Sequence, residues 1–456
     1  MTDTIVALAT PLGRSGIGMV RLSGGDALRL AGVLADDSNF HPEPRRANLR
    51  QILDPENGET IDEAVFTFFQ NPNSFTGEDI VEVSCHGSPV VLRRVIDICL
   101  ASGARMAEPG EFSLRALANG RMNLAEAEAI RDLIDAQTTA SARQAVRQLR
   151  GEFSHQLQPI TDELLDVIVI LESALEFVED DLPATQGETI KDRLLGLADS
   201  IAAISSTFRA GRLLREGLKV ALVGRPNVGK SSLFNALLGS DRAIVTEIAG
   251  TTRDQLHERF TIHDIPISLL DTAGLRETTD TIESIGVERS RKAMADADLV
   301  LIMLDASEHL QPEDREILES AKDLRHLIVF NKIDLARNES MLSNADILTE
   351  FGGSSVAISA KTGEGLNELR QSIVEPFEPN ETEAAGFLVS DARHYDLLRR
   401  AEDEIRSSVA LLDSKTSEEI VLVGLHNSLR FLGEITGETT TEDMLTRIFS
   451  TFCIGK

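Results

Sequence analysis

Short apolar runs broken by loops fill the first 120 residues. "TIVALAT", "GMVRLSG" and "DIVEVSCHG" read as strands and "PLGRSGIG" as a loop, which predicts a mixed α/β unit over residues 1–120. From 121 to 215 the spacing turns helical. "NLAEAEAIRDLIDAQTTASARQAVRQLRG" has no proline, ends in glycine and sets Leu124, Ile130, Ile134, Val146 and Leu149 in one apolar stripe. "EDDLPATQGET" reads as a loop between helices. Over 216–379 strands alternate with helices: "KVALVG", "ISLLDTAG", "LVLIMLDA" and "HLIVFNKID" are buried-strand candidates, the pattern of parallel α/β. "EPFEPNETEA" closes that unit, and residues 380–456 are helical again. Helical segments on both sides of a complete α/β unit predict that it is inserted into one discontinuous helical domain.

Composition narrows the class without naming a function. With 456 residues, 42% hydrophobic and 26% charged, the chain is expected to be a soluble multidomain protein. No apolar run reaches membrane length. An acid at Asp3 and no basic cluster at the start argue against a targeting leader. Cys85, Cys99 and Cys453 make no disulfide framework, which fits a reducing cytoplasm, and the first two lie in apolar stretches as expected of small core residues. The net charge of −29 argues against binding nucleic acid by bulk electrostatics, so any RNA contact must be local or shared with a basic partner. Cys453 stands fourth from the end of "STFCIGK", the place of a prenylated cysteine. Gly455 and Lys456 do not suit that motif, and no polybasic stretch precedes it.

The chemistry that can be read begins at "GRPNVGKS", residues 224–231, directly after an apolar strand and before a helix. Its glycines let backbone N–H groups of Asn227, Val228 and Gly229 close on phosphate oxygens at a helix N-terminus. Lys230 is placed to reach the outer phosphates, Ser231 to ligate magnesium, and Ser232 follows in the same turn. "GTTRD" supplies Gly250, Thr251 and a magnesium threonine. "DTAG" supplies Asp271, Thr272, Ala273 and Gly274, with Asp271 toward the metal and Gly274 toward the γ-phosphate. "NKID" ends another strand: the Asp334 carboxylate accepts from guanine N–H groups that adenine does not present, and Asn331, Lys332 and Ile333 complete the pocket. "SAK", Ser359, Ala360 and Lys361, occupies the last base-contacting loop. These motifs in this order predict a GTP-binding domain. Leu275 follows DTAG where many GTPases place a water-orienting glutamine, so hydrolysis needs another group, with Glu277, Glu283 and Glu288 as candidates.

With these residues in place, the chain resembles the bacterial tRNA-modification GTPase family MnmE, also called TrmE. The likeness runs through "TIVALATPLGRSGIGMVRLSG", "NSFTGEDIVEVSCHGSP", "PGEFSLRALANGR", "LLREGLKVALVGRPNVGKSSLFNAL" and "FCIGK". It implies a folate-binding, dimerising N-terminal domain, a discontinuous helical domain and an inserted G domain. It also implies joint work with the flavoprotein MnmG, which brings FAD and NADH, in a heterotetramer acting on tRNA away from membranes. The pair would attach an aminomethyl or carboxymethylaminomethyl group to carbon 5 of the wobble uridine.

By position, the resemblance puts 5,10-methylene- or 5-formyl-tetrahydrofolate on Arg21, Glu82, Arg121 and Lys456, with Arg121 standing where relatives carry lysine. Cys453 would lie near that chemistry, as nucleophile or as packing. Potassium would be held by Asn227, Thr246, the Ile248 carbonyl and Thr251, and magnesium by Ser231 and Thr252. Glu247 and Ala249 complete the nucleotide loop, and Glu283 would orient the attacking water. The competing expectation is a ribosome-assembly GTPase, which would carry a basic RNA-binding appendage where this chain has an acidic helical one.

Overall fold

The computed structural model describes residues 3–176, 184–240, 258–270, 293–336, 347, 349–377, 386–414 and 417–455. Twelve strands lie among them: β1 (Ile5–Leu8), β2 (Ser15–Ser23), β3 (Ala47–Leu53), β4 (Thr60–Phe69), β5 (Ile80–Gly87), β6 (Arg105–Met106), β7 (Leu218–Val223), β8 (Glu258–Ile262), β9 (Ile265–Leu270), β10 (Leu299–Asp305), β11 (His326–Asn331) and β12 (Ser354–Ala357). The helices up to the phosphate loop are α1 (Ala27–Leu34), α2 (Pro89–Ala101), α3 (Glu111–Ala118), α4 (Leu124–Asp135), α5 (Thr139–Leu149), α6 (Glu152–Glu176), α7 (Ala184–Ser206) and α8 (Phe208–Glu216). After it come α9 (Lys230–Ser240), α10 (Pro312–Ala321), α11 (Leu366–Val374), α12 (Ala392–Asp413), α13 (Glu418–Thr436) and α14 (Glu442–Phe449). No helix among the described residues is long and apolar enough to cross a membrane.

The chain divides into two compact units, with boundaries that fall inside α4, α5, α7 and α12. The first holds Met1–Ile134, Val146–Leu197 and Asp403–Lys456. Its sheet runs β3-β4-β5-β2-β1-β6, antiparallel except for the β1–β6 pair. Strand alternation sorts side chains between the faces. Val6, Val20, Leu22, Val81, Val83 and Cys85 pack with α1 and α2 on one face. Ile5 and Ala7 pack with Phe112 of α3 on the other. Arg21 and Glu82 fall between the first set in sequence, so they point to the second face, directly opposed across β2 and β5. Cys85 and Cys99 are core residues, and burial pushes both thiols up to about 12.

β3 and β4 were not read as strands, although Ala64, Phe66 and Phe68 alternate inward along β4. The stretch read as one helix over 124–151 is two. Thr138 and Ser141 hydrogen-bond each other's backbone N–H at 3.1 Å and open α5, so "TTAS" carried a capping signal that the apolar spacing hid. Ile134, expected in the stripe, is 46% exposed at the end of α4.

The second unit holds Asp135–Ala145 and Ala198–Glu402, with a sheet in the order β12-β11-β10-β7-β9-β8. Every residue of β10 is buried, as expected for a strand covered on both faces. The expectation of a purely parallel sheet needs one correction, because β8 runs antiparallel to β9. His263 and Asp264 join them with φ of 49° and 64°, the two-residue turn that returns the chain on itself.

In the first unit a fully buried arginine joins segments far apart in sequence. Arg115 of α3 is 1% exposed and donates to Glu111, to Glu78, and to both the carbonyl and the carboxylate of Asp3. Arg105 adds a second cation against Asp3 and Glu111. Burial raises the Glu111 carboxyl, and its bonds from Arg105, the Glu108 N–H and Arg115 more than reverse this, leaving it below the usual range. A lowered folded-state value stabilises above the unfolded pKa and is lost as pH falls through the folded one. Arg115→Met should therefore cost about 3–5 kcal/mol in urea unfolding near neutral pH. The deficit relative to wild type should shrink below the carboxylate range, as checked by unfolding across pH.

Candidate functional site

Five strands of the second unit point their carboxyl ends the same way, the edge at which open α/β sheets bind ligands. Residues 224–229 follow β7 and lead into α9, whose first turn carries Lys230, Ser231 and Ser232. Asn227 stands at φ 66° with its side chain exposed. Lys230 Nζ donates at 2.7 Å to the carbonyls of Gly224 and Arg225, and burial holds its ammonium below the usual lysine value.

Asn331 reaches back from β11 to the phosphate loop. Its Nδ2 donates to the Val228 carbonyl at 2.8 Å, and its Oδ1 accepts from the Ala360 N–H at 2.9 Å. Both polar atoms are thus engaged by protein, so this side chain joins three loops. Only glycine fits at 229, where φ is 103° and a Cβ would run into Asn331 Nδ2. Asp334 Oδ1 accepts from Ser359 Oγ at 2.7 Å, and Lys332 Nζ pairs with Asp305 at 2.5 Å. Val228, Asn331, Lys332, Ile333, Asp334, Ser359 and Ala360 are therefore brought together. Thr246–Thr252, Asp271–Gly274, Leu275, Glu277, Glu283 and Glu288 lie outside the described residues.

A second cluster forms in the first unit. Arg21 donates from Nε and Nη2 to Glu82 Oε1 at 3.0 and 2.7 Å, and from Nη1 to the Gly455 carbonyl at 3.3 Å. The rings of Phe75 and Phe112 each lie 5.8 Å from its guanidinium carbon. The tail is held there from several sides. The Gly110 N–H donates to the Cys453 carbonyl, Arg131 bonds Thr451 and lies over Phe452, and Phe449 and Phe452 pack on Leu124 and Ala127. Gly455 has φ 95° and presses on the Leu8 carbonyl, so a side chain is excluded. Cys453 is exposed. Arg121 is exposed and lies against Gly77, two residues beyond Phe75. Lys456 lies outside the described residues.

Sequence reasoning gave no role to Phe75, Phe112, Gly110 or Arg131. The first three sit inside "NSFTGEDIVEVSCHGSP" and "PGEFSLRALANGR", so the signal lay in motifs already noticed. Among the described residues no His, Cys, Asp and Glu side chains gather as a metal cluster.

Residues 124–453 match a family model described as the MnmE helical domain, and residues 4–121 match one described as the GTP-binding protein TrmE N-terminus. The tRNA modification GTPase MnmE of Koribacter versatilis is 45% identical over 460 residues, covering 100% of both chains. That of Aquifex aeolicus is 42% identical over 458 residues, also covering 100% of both. A crystal structure of Aquifex aeolicus Era bound to GDP and AlF4- overlaps 41% of this chain and 66% of that one at 31% identity, with a TM-score of 0.29.

The tail's docking can be tested by itself. Gly455→Val should free residues 453–455 and speed hydrogen exchange at the Gly110 amide about tenfold, equal to roughly 1.4 kcal/mol of lost docking. Mass-resolved exchange of the peptide around Gly110 is the measurement.

Proposed function

The chain belongs to the MnmE (TrmE) family of tRNA modification GTPases, and on that premise we propose that this GTP hydrolase works with a flavoprotein of the MnmG type on the wobble uridine of tRNA. The pair attaches an aminomethyl or carboxymethylaminomethyl group to carbon 5 of the base. The one-carbon unit comes from 5,10-methylene-tetrahydrofolate, and the partner brings FAD and NADH. The active assembly is a homodimer of this chain joined to its partner in a heterotetramer, in the cytoplasm. Residues 121–215 and 380–456 form one helical domain into which the GTP-binding domain, 216–379, is inserted.

The observation that carries this reading is the Gly455 carbonyl accepting from Arg21, whose guanidinium is paired with Glu82 and has two aromatic rings beside it. Both bonds from Arg21 land on Glu82 Oε1, which leaves Oε2 to accept from the N–H groups of a pterin. Phe75 and Phe112 offer apolar faces beside it. Arg21, Arg121 and Lys456 supply cations for the glutamyl carboxylates. Cys453, two residues before Gly455, is exposed, which supports a role for its thiol in this chemistry. A folate cofactor bound here supplies a one-carbon unit at the oxidation level of formaldehyde.

In the GTP-binding domain, Asp334 selects guanine and Asn331 holds the base and phosphate loops in register. The hydroxyls of Ser231 and Thr252 are hard oxygen donors suited to magnesium. Asn227, Thr246, Thr251 and the Ile248 carbonyl are neutral oxygen donors suited to potassium, which takes the place of an arginine finger. Leu275 cannot hydrogen-bond, so Glu283 orients the attacking water.

Nucleoside analysis of tRNA from a deletion strain tests the whole reading: the 5-substituted wobble uridines should vanish and return with the wild-type gene. Cys453→Ser should cripple their formation while GTP hydrolysis survives. Normal modification by that variant would reduce the thiol to packing. In the other unit, Asp334→Asn exchanges an acceptor for an amide and should shift preference from GTP towards xanthosine triphosphate. Unchanged affinity for GTP in competition binding would remove Asp334 from the base pocket.

A further inference from the structure

The loop after β10 belongs to no GTPase signature, yet it touches both ends of the nucleotide site. Asp305, at the end of β10, is 9% exposed. Its Oδ2 accepts from Lys332 Nζ at 2.5 Å, and its Oδ1 accepts from the Ser307 N–H at 3.0 Å and hydroxyl at 2.6 Å. Lys332 itself stands at φ 65°, a backbone conformation uncommon for a residue with a side chain, and the Ala306 N–H bonds the carbonyl of Asn331 beside it at 2.8 Å. Where that loop leads into α10, Asp314 of the first turn is 2% exposed and receives Arg225 Nε on both oxygens at 2.8 Å. Arg225 is the second residue of the phosphate loop, and its carbonyl accepts from Lys230.

We propose that Asp305 is a positioning residue for guanine binding, acting by holding the Lys332 side chain in place before the nucleotide arrives. The proposal rests on reading Asn331–Asp334 as the base loop, which Asp334→Asn tests separately. The aliphatic stem of a lysine makes one wall of a flat pocket only when its rotatable bonds are fixed. Fixing them on binding costs rotamer entropy. An acceptor that fixes the ammonium beforehand transfers that cost to folding and raises affinity without touching the base. Asp305 suits the task because Ser307 immobilises the carboxylate from its other oxygen. Burial raises this carboxyl, but the bonds from Lys332 and Ser307 prevail and keep it below the usual range, so it stays charged at neutral pH.

The test is GDP binding by calorimetry, with steady-state GTP hydrolysis, on the full chain. Asp305→Asn should bind GDP at least fivefold more weakly, with KM for GTP raised to a similar extent and kcat near wild type. In a Lys332→Met background the same substitution should cause no further loss, because the side chain it acts through has no ammonium. Ser307→Ala, a milder change, should weaken GDP about twofold and should also fall silent in that background. Wild-type GDP affinity in Asp305→Asn would overturn the proposal. So would a loss that persists undiminished when Lys332 is already methionine, the outcome expected of a merely structural carboxylate. If Asp305→Asn does not fold, the Ser307→Ala pair decides on the same terms.

Discussion

The guanidinium of Arg115 sets the terms for the N-terminal unit. Its N–H groups meet protein oxygens from Asp3, Glu78 and Glu111, and Ser23 donates to Glu78 from a fourth segment. An arginine so removed from water is tolerated only when its donors are all met, and a partial set would be worse than an apolar residue of the same size. The start of β1, the loop before β5, the end of β2 and helix α3 therefore have to arrive together. Once they do, Phe112 and Phe75 are fixed beside Arg21. The ionic core thus fixes the surroundings of the Arg21–Glu82 pair.

The other unit solves the same problem with neutral groups. Parallel strands place their loops at one edge, but the edge alone does not set distances between loops that follow different strands. Asn331 does so, with one amide bridging the phosphate loop and the Ser359–Lys361 loop. The glycine at 229 is the counterpart of that amide, since the bridge needs a backbone that can be approached closely. Within NKID, Asn331 therefore meets the protein on both of its polar atoms.

How legible this was in sequence depended on the range of the interaction. β1, β2, β5, β7, β9, β10 and β11 are visible in sequence because burial imposes a local pattern, whereas β8 and β12 are not. The pairing of Arg21 with Glu82 was not, because the register of β2 on β5 is set by packing that no local pattern records. The break before α5 was written in Thr138 and Ser141 but was masked by an apolar spacing that runs on across it. The antiparallel edge strand β8 followed from two residues at positive φ that have no glycine to announce them. Asp305 lay outside every motif, and only its distance to Lys332 gives it a part to play.

The contact between Arg21 and Gly455 spans 434 residues of chain. Closing a flexible loop of that length carries an entropic cost of about 5 kcal/mol, more than one hydrogen bond returns. The tail can dock only after the intervening segments have folded and shortened the effective tether. On a ribosome, Arg21 emerges long before Gly455, with residues 216–379 translated in between. Docking of the tail on Arg21 is accordingly a late event in the life of each molecule. A chain cut short before Gly455 lacks this contact altogether.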